Sequence, residues 1–383
     1  MDKVLSGLSL FSNVGVAEAY LEEIGVDIKI ANEIDQKRGE FYKYLYPKTN
    51  VIIGDITDNS IRNEIVNESI NQDIDFIIAT PPCQGMSIAG KMNPHDLRNQ
   101  LISYAIDVVK RVKPKFILLE NVPRQLKTKI DYNGDRILIP EYIRLELEDQ
   151  YNFNSNPVMS AMDYGVPQMR KRSIFLMSRK DTTITWDAPE KSEKIITLRD
   201  AIGHLPEIDP VIREGYETTL EYFPDFEEKK AKALEISKWH YPPTHALRHI
   251  KWMMHTPSGE TAFNNKIYYP KKANGDRIKG HYNNYRRFDW DKPSRTITQN
   301  NGVISSLTCV HPGRLIQDDG TEEGRIYSDP RCLSIYEILI VTSLPKDWNI
   351  PPWANDRMIR SVIGEGIPPL LVKRIMEGLL KEL

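Results

Sequence analysis

The first 180 residues alternate short apolar runs with longer amphipathic runs, and this alternation strongly constrains the fold. Runs of strand length occur at KVLSGLSLF, DIKIANE, NVIIGD, DFIIAT, KFILLEN and RSIFLMS. Between them, stretches such as VAEAYLEEIG, RNEIVNESI and QLISYAIDVVKRV place apolar residues at helical spacing. Strands that alternate with helices favour a parallel sheet with helices on both faces. The pattern therefore predicts a doubly wound, mostly parallel α/β lobe.

The pattern changes near residue 180, where prolines, glycines, aromatic residues and scattered basic residues interrupt every helical period. This composition predicts a second, smaller, loop-rich lobe. The last run, PPLLVKRIMEGLLKEL, regains helical spacing after two prolines that suit a helix start. An isolated helix is barely stable, so we expect it to return to the first lobe. We assign residues 1–180 and 355–383 to one domain and residues 181–354 to the other.

Composition narrows the class of protein. A chain of 383 residues is long enough for two soluble lobes. Its net charge is −2, so any nucleic-acid partner would have to be held by local basic patches. No apolar run reaches the roughly 20 residues of a membrane span, and MDKVLSGLSL lacks the cleavage site of a signal peptide. We therefore expect a cytoplasmic protein with no membrane partner. The three cysteines form no CxxC pair, so neither a disulfide framework nor a metal site is expected.

Cys83 follows an apolar strand that ends in two prolines, in IIATPPCQGMS. Open α/β sheets bind ligands at the carboxyl ends of their strands, so this thiol is placed where it could act as a nucleophile. Free cysteine more often behaves as a small buried apolar residue. Position alone leaves both interpretations open.

Acidic residues follow the second and third strands. Glu33 and Asp35 end IANEID, and Asp55 ends the next strand. An acid at the end of the second strand can accept hydrogen bonds from ribose hydroxyls, although such acids also cap helices. The small-residue turn LFSNVG after the first strand allows close backbone approach of a ligand, or is only a tight turn. Together they indicate an adenosine-containing cofactor without phosphate, since no phosphate-binding lysine loop is present.

Two further segments carry polar residues to strand ends. Glu120 and Asn121 end ILLENVPR, beside the strand that leads to the cysteine. A carboxyl group buried among apolar strands has a raised pKa and can hold or deliver a proton near neutrality. In QMRKR, alternation along an extended chain places Arg170 and Arg172 on one face and Lys171 on the other. Two arginines that share one face suit a carbonyl or anion.

Taken in order, these segments resemble the cytosine-C5 methyltransferases that use S-adenosylmethionine. The resemblance covers almost the whole chain and consists of separate motifs in a fixed order. They are LFSNVG, NEID, GDIT, PPCQG, DLRNQL, ENV, YGVPQMRKR, WDKPSRTIT with a following HP, RCLSIYE and VIGEGIPP. The family fold that this implies is a Rossmann-like catalytic lobe, here residues 1–180 and 355–383. The smaller target-recognition lobe would have its recognition core at about residues 207–285.

The resemblance implies a chemistry for the catalytic residues. The thiolate of Cys83 would add to C6 of cytosine, and Glu120 would hold N3 and supply a proton. Arg172, with Arg170 nearby, would bind the O2 edge. C5 would then take the methyl group, a base would remove the C5 proton, and the cysteine would leave by elimination, without a metal.

The resemblance also implies binding residues. The residues matched to the S-adenosylmethionine site are Phe11, Ser12, Asn13, Val14, Gly15, Glu33, Ile34, Asp55, Ile56, Pro82 and Leu101. Those matched to nucleic-acid contact are Gln84, Ser87, Lys91 and Gln168, and the basic candidates of the recognition core are Arg248, Lys251, Lys266, Lys271, Lys272, Arg277 and Lys279. Asn13 and Val16 replace glycines that are usual in the family, and Glu365 stands where the family usually has asparagine.

The expected partner is double-stranded DNA, and the enzyme is expected to be a monomer. It would act as the modification enzyme of a restriction-modification system, with a cognate endonuclease as a further candidate partner. Three alternatives stay open. The same chemistry could act on transfer RNA, the chain could be an inactive binding module, or it could methylate N4 of cytosine or N6 of adenine. Amino-methyltransferases of this fold place an aromatic residue after the prolines and need no thiol, whereas Cys83 stands there.

Overall fold

The structure is a computed structural model that describes residues 5–82 and 97–383. The strands are β1 (Leu5–Leu10), β2 (Val26–Glu33), β3 (Asn50–Ile53), β4 (Phe76–Ala79), β5 (Phe116–Asn121), β6 (Lys129–Tyr132), β7 (Asp135–Leu138), β8 (Tyr151–Phe153), β9 (Val158–Ser160), β10 (Gln168–Met169), β11 (Lys171–Arg179), β12 (Val211–Ile212), β13 (Thr244–His245), β14 (Ser294–Arg295), β15 (Leu315–Gln317) and β16 (Ile326–Tyr327). The helices are α1 (Gln36–Leu45), α2 (Asn59–Asn71), α3 (Leu101–Val112), α4 (Ile139–Leu147), α5 (Leu198–Ile202), α6 (Tyr216–Tyr222), α7 (Phe226–Ile236), α8 (Leu247–Met254), α9 (Ile335–Val341), α10 (Asp356–Glu365) and α11 (Pro369–Leu380). Short 3₁₀ helices lie at Glu22–Ile24, Leu97–Gln100, Pro123–Lys127, Ala161–Tyr164, Lys180–Thr182 and Ala262–Asn264.

The main sheet has the strand order β3-β2-β1-β4-β5-β11-β8, and β9 also pairs with β11. Strands β1 to β5 pair in parallel, whereas β11 runs antiparallel to β5, β8 and β9. The mostly parallel sheet and its six predicted strands are therefore confirmed. The chain winds from β1 toward β3 on one side and toward β5 on the other. This reversal places a crevice at the carboxyl ends of β1 and β4, where such sheets bind ligands.

The helix predicted for VAEAYLEEIG is wrong. That segment consists of turns and one short 3₁₀ helix, which ends at Gly25 with a φ of +91°. Val16 packs into one apolar cluster, with α9 and α10, whereas Ala17 and Leu21 pack into another, with α11. Because its apolar residues contact two different cores, a helix with a single apolar face would not bury them, and tertiary packing overrides the local pattern.

The C-terminal helix returns to the first lobe, as its apolar face predicts. Leu371 and Ile375 of α11 are fully buried in the same cluster as Phe76 of β4 and Phe116 of β5. Helices α2, α3 and α4 cover the opposite face of the sheet. Helices on both faces therefore shield the parallel strands from water.

The region from 181 to 354 has short helices and strands of two or three residues. Part of it forms apolar clusters of its own, around Trp252 and Phe226. Its later segments instead share a cluster with the first lobe, in which Trp290 and Leu339 pack with Val14. Residues 198–205 belong to the same cluster, so this part of the chain and the chain after residue 287 both connect the smaller lobe to the first lobe.

A buried ionic network holds the start of α9. Arg331 is fully buried and donates to Asp329 Oδ1 at 2.7 Å and to Glu337 Oε2 at 2.7 Å. Its Nε also donates to the carbonyl of Ile208 at 2.9 Å. Burial acts to raise the pKa of Glu337, but Arg331 outweighs it and lowers the pKa to about 2. The network joins three segments that are distant in sequence.

We expect Arg331→Met to lower the free energy of unfolding by about 3–5 kcal/mol, because two buried carboxylates lose their cation. Urea denaturation measures the loss, and Lys232→Met, which breaks an exposed pair with Glu228, should cost less than about 1 kcal/mol. Because the pKa of Glu337 is lowered, its carboxylate contributes its full stabilisation of the fold above pH 4.5. This contribution is lost as the pH falls toward 2. Variant and parent should therefore converge in acid, and equal losses in Arg331→Met and Lys232→Met would contradict a stabilising network.

Candidate active site

The carboxyl ends of β1, β4 and β5 lie side by side. Leu10 of β1 pairs with Ala79 of β4, and Ala79 pairs with Leu119 of β5. Just beyond them, the Thr80 hydroxyl donates to the carbonyl of Phe11 at 3.0 Å. These contacts fix the direction in which the chain leaves β4. The residues that follow, including the predicted Cys83, Gln84, Ser87 and Lys91, lie outside the described part of the chain.

Asn121 links the two strand ends that the sequence placed together. Its Nδ2 donates to the carbonyl of Pro81 at 3.0 Å, and its Oδ1 accepts from the backbone N–H of Val122 at 2.8 Å. Glu120 precedes it on β5. The predicted adjacency of Glu120 to the segment that leads to Cys83 is therefore present in the backbone.

Glu120 and Arg172 form a buried ion pair at this edge. Arg172 Nε lies 2.6 Å from Glu120 Oε1, and the two side chains are only 10% and 11% exposed. Arg172 Nη1 also donates to the carbonyl of Lys171 at 2.8 Å. Burial raises the pKa of Glu120 above its ordinary value, although Arg172 and Arg170 act in the opposite direction. The site thus holds a carboxyl group able to carry a proton beside a fixed cation.

Arg170 lies on the same face as Arg172, but its guanidinium has other contacts. It is 3% exposed and donates to the carbonyls of Ile297, Gly364 and Glu365 at 2.9, 3.1 and 3.0 Å. This guanidinium therefore ties β11 to the end of α10. These contacts support a role in holding the site together.

Gln168 is not at a surface that DNA could reach. It is fully buried, its Nε2 donates to the carbonyl of Val341 at 3.4 Å, and its Oε1 accepts from the backbone N–H of Ile297 at 3.3 Å. The predicted nucleic-acid contact does not agree with this placement. The side-chain nitrogen and oxygen of Gln168 both form hydrogen bonds with backbone groups in the protein interior.

The turn after β1 is shaped by its backbone. Phe11 and Asn13 have φ values of 58° and 53°, and Gly15 has a φ of 80°. A Cβ on Gly15 would lie 2.2 Å from a ring carbon of Tyr46, so a larger residue does not fit there. Val14 is fully buried and packs the turn against an apolar cluster. Phe11 is only partly buried, and it borders the crevice.

Glu33 connects this turn to the second strand. Its carboxylate accepts from the backbone N–H of Asn13 at 2.8 Å and from that of Asp35 at 3.0 Å. Burial raises the pKa of Glu33, against these hydrogen bonds and nearby Arg38. Ser12 is also buried and donates to backbone carbonyls. The predicted Ser12, Asn13 and Glu33 are thus brought together.

The remaining predicted cofactor residues line the same edge. Ile34 is 63% exposed, an unusual state for isoleucine, directly after the buried Glu33. Asp55 is exposed after β3, followed by the buried Ile56. Pro82 and Leu101, which are half-buried, lie after β4 and at the start of α3. The crevice therefore has apolar and acidic walls.

Glu365, which departs from the family pattern, has a matched partner. Arg38 donates to its two carboxylate oxygens at 2.6 and 2.9 Å, and Gln299 also donates to it. Asn13 Nδ2 donates to the carbonyl of Val362, in the same helix as Glu365, at 3.0 Å. The acid therefore adds little uncompensated charge to the crevice. Sequence reasoning missed Arg38 and Gln299, because nothing local marks a pair separated by 327 residues.

We expect Arg38→Met to weaken S-adenosylmethionine binding about fivefold, because the Glu365 carboxylate would lose a partner worth about 1 kcal/mol. The matched double variant Arg38→Met/Glu365→Gln removes the unpaired charge and should recover most of that affinity. Titration calorimetry of the three proteins gives the coupling. A double variant that binds as weakly as the single one would contradict the compensation.

Among residues 5–82 and 97–383, no group of three or more histidine, cysteine, aspartate or glutamate residues could hold a metal ion. The described helices include none that is long and apolar enough to cross a membrane. The described cysteines, Cys309 and Cys332, are buried and lie 3.5 Å apart between their Sγ atoms as free thiols.

Comparison with known proteins identifies the family. The profile of the C-5 cytosine-specific DNA methylase family matches residues 5–381. The chain is 41% identical over 387 residues to the type II methyltransferase M1.HgaI of Avibacterium volantium, and 100% of both chains is covered. It is 26% identical over 384 residues to the type II methyltransferase M1.HphI of Haemophilus parahaemolyticus, covering 98% of this chain and 87% of that one.

Solved structures share the fold. A prophage-encoded E. coli protein described as a DNA modification methyltransferase superposes with a TM-score of 0.67 at 22% identity, over 99% of both chains. The Dnmt2 methyltransferase of S. pombe gives a TM-score of 0.57 at 17% identity, also over 99% of both chains. The full-length profile match, which includes the strand ends that carry Glu120 and Arg172, decides the family. The chain belongs to the C-5 cytosine-specific DNA methylase family and is a DNA cytosine-5-methyltransferase.

Proposed function

We propose that this protein methylates C5 of a cytosine flipped out of a specific duplex DNA sequence, through a covalent bond between Cys83 and C6. The observation that carries the proposal is the buried Glu120–Arg172 pair beside the backbone that leads to Cys83. An ionisable carboxyl and a guanidinium 2.6 Å apart match the N3 and O2 edge of cytosine, which presents two neighbouring acceptors. An adenine or an exocyclic amino group would give this pair no comparable task.

The crevice fits S-adenosylmethionine. The buried Asn13 Oδ1 has no hydrogen-bond partner among the described residues. Glu33 is buried yet keeps oxygen lone pairs for ribose hydroxyls, and the exposed Ile34 beside it offers an apolar surface to a purine. Phe11 and Asp55 complete the set. Bound there, S-adenosylmethionine would supply an electrophilic methyl group.

The chain's own residues then act on the cytosine. The Cys83 thiolate forms a bond to C6, and the electron pair of the C5–C6 double bond moves into the ring. Glu120 supplies a proton to N3, and Arg172 binds O2, so that negative charge does not build up on the ring. C5 takes the methyl group, a base removes the C5 proton, Glu120 recovers its proton, and the carbon–sulfur bond breaks. The products are 5-methylcytosine, S-adenosylhomocysteine, the free Cys83 thiolate and the C5 proton held by the base.

Arg172 and Arg170, which the sequence analysis assigned together to the base, have different roles in this proposal. Arg172 lies beside Glu120, so its guanidinium is placed to bind the base that Glu120 protonates. Arg170 is a positioning residue, because its hydrogen bonds fix Gly364 and Glu365 against β11. Glu365 in turn holds Arg38, beside the cofactor crevice. Base pocket and cofactor crevice are thereby joined by one chain of contacts.

A cytosine within a duplex cannot reach Glu120, so the base must leave the stack, at a cost of a few kcal/mol. The basic residues at 248–279 are candidates to hold the duplex while this happens, and Arg277 stacks over the Tyr269 ring at 3.8 Å. The similarity to type II methyltransferases supports a modification role beside a cognate endonuclease. One chain carries Glu120, Arg172 and the crevice, which supports a monomer.

The test is methyl transfer from labelled S-adenosylmethionine to duplex DNA or to transfer RNA, followed by location of the label. We expect label at C5 of cytosine in DNA within a defined sequence. Label on transfer RNA alone would mean that transfer RNA is the substrate and that the chemistry is the same. Label on N6 of adenine or N4 of cytosine, or no label at all, would overturn the proposal. A bound endonuclease is tested separately by co-purification.

A further inference from the structure

A group of exposed basic residues lies next to Glu120 on the catalytic lobe. Arg124 and Lys127 belong to the 3₁₀ helix Pro123–Lys127, which follows β5 directly, and Lys129 begins β6. All three side chains are exposed. The segment VPRQLKTKI, residues 122–130, contains no acidic residue. It therefore presents positive charge at the carboxyl edge of the sheet.

Lys171 extends this basic group. It is the exposed first residue of β11, one residue before Arg172. Ser173 of β11 pairs with Asn121 of β5 in antiparallel register, so Lys171 lies level with the start of the 3₁₀ helix. We call Arg124, Lys127, Lys129 and Lys171 the edge patch.

The three lysines of the edge patch differ from many basic side chains elsewhere on this lobe. Within the described part of the chain, Lys127, Lys129 and Lys171 form no ion pair. Lysines away from the edge often do, as Lys110 pairs with Glu146 at 2.6 Å and Lys115 pairs with Asp75 at 2.8 Å. Exposed cations without carboxylate partners are available to phosphate groups.

We propose that the edge patch binds the DNA backbone that flanks the target cytosine, so that the catalytic lobe holds the duplex independently of the recognition core. This inference rests on the proposed function. The cytosine must reach Glu120 over this edge, and its neighbouring phosphates then pass within reach of the 3₁₀ helix and of Lys171. Contacts to phosphates position a strand and carry no sequence information. The edge patch therefore sets affinity and register, whereas the base sequence is read elsewhere.

The test compares two triple variants of the full chain by fluorescence anisotropy with cognate and unrelated duplexes over a range of salt. Lys127→Ala/Lys129→Ala/Lys171→Ala removes the three lysines of the edge patch. Lys43→Ala/Lys180→Ala/Lys381→Ala removes the same charge from exposed positions away from the carboxyl edge. The edge variant should reduce the slope of log K against log salt by about 0.9 for each lost phosphate contact. Its affinity should fall equally for both duplexes, with the methylation rate at saturating DNA retained.

The outcomes separate this inference from the proposed function. Equal slopes and affinities in the edge variant, the control variant and the parent would contradict the proposal that the edge patch binds DNA. Methylation of DNA by all three proteins would leave the proposed function intact. A loss confined to the cognate duplex would also overturn it, because it would mean that these lysines read bases. A parent protein that methylates no DNA would instead refute the proposed function.

Discussion

Cys83→Ala is expected to reduce methyl transfer to the background of an enzyme-free mixture, while S-adenosylmethionine still binds. Cytosine C5 is a poor nucleophile until a group adds to C6, and the thiolate is the group in this sequence that can do so. Cofactor binding should survive, because the residues proposed to bind the cofactor, Phe11, Glu33 and Ile34, lie at the ends of β1 and β2 and do not depend on the thiol. Transfer assays and calorimetry on the same preparation measure the two quantities.

The covalent step has its own readout. A duplex with 5-fluorocytosine at the target should form a denaturant-stable complex with the parent enzyme, since fluorine at C5 cannot leave as a proton does. Cys83→Ala should form none. Cys309→Ser, which changes a buried thiol in the smaller lobe, should still form the complex. Methyl transfer by Cys83→Ala at the parent rate would show that the thiol is structural.

Glu120→Gln is expected to lower kcat by about 10²–10⁴-fold, the usual contribution of a positioned acid. Glutamine keeps the size of the side chain and can still hydrogen-bond to the ring, but it cannot deliver a proton to N3. It also leaves Arg172 without its anionic partner, now 2.6 Å away. Steady-state kinetics with saturating DNA measures the loss.

The pH dependence distinguishes proton transfer from packing. Burial raises the pKa of Glu120, so the folded protein keeps the acid protonated to a higher pH than the unfolded chain does. The contribution of the protonated Glu120 to the rate is therefore complete at low pH, and it is lost as the pH rises through that pKa. The parent should show an alkaline decline in rate that Glu120→Gln lacks. The control Glu146→Gln changes a carboxylate that pairs with Lys110 on the outer face of the lobe, and its pH profile should match the parent.

Much of the fold could be predicted from the sequence, because strands and helices of an α/β lobe leave different periods of apolar residues. All six strands predicted within the first 180 residues and the return of α11 are confirmed. The adjacency of Glu120 to the strand of Cys83 was also predictable, since neighbouring parallel strands end at one edge. The segment at 16–25 was not, because its apolar residues divide between two cores that lie far apart in sequence.

The site shows the same division. The chemical groups near the strand ends can be read from the sequence: an acid and an amide at the end of β5, and two guanidinium groups immediately before and at the start of β11. Only the tertiary structure decided their tasks. Arg170, just before β11, and Arg172, within it, are two positions apart, yet one bonds to backbone carbonyls and the other to Glu120. The partner of a side chain depends on which distant segment packs against it, and local spacing carries no record of that segment.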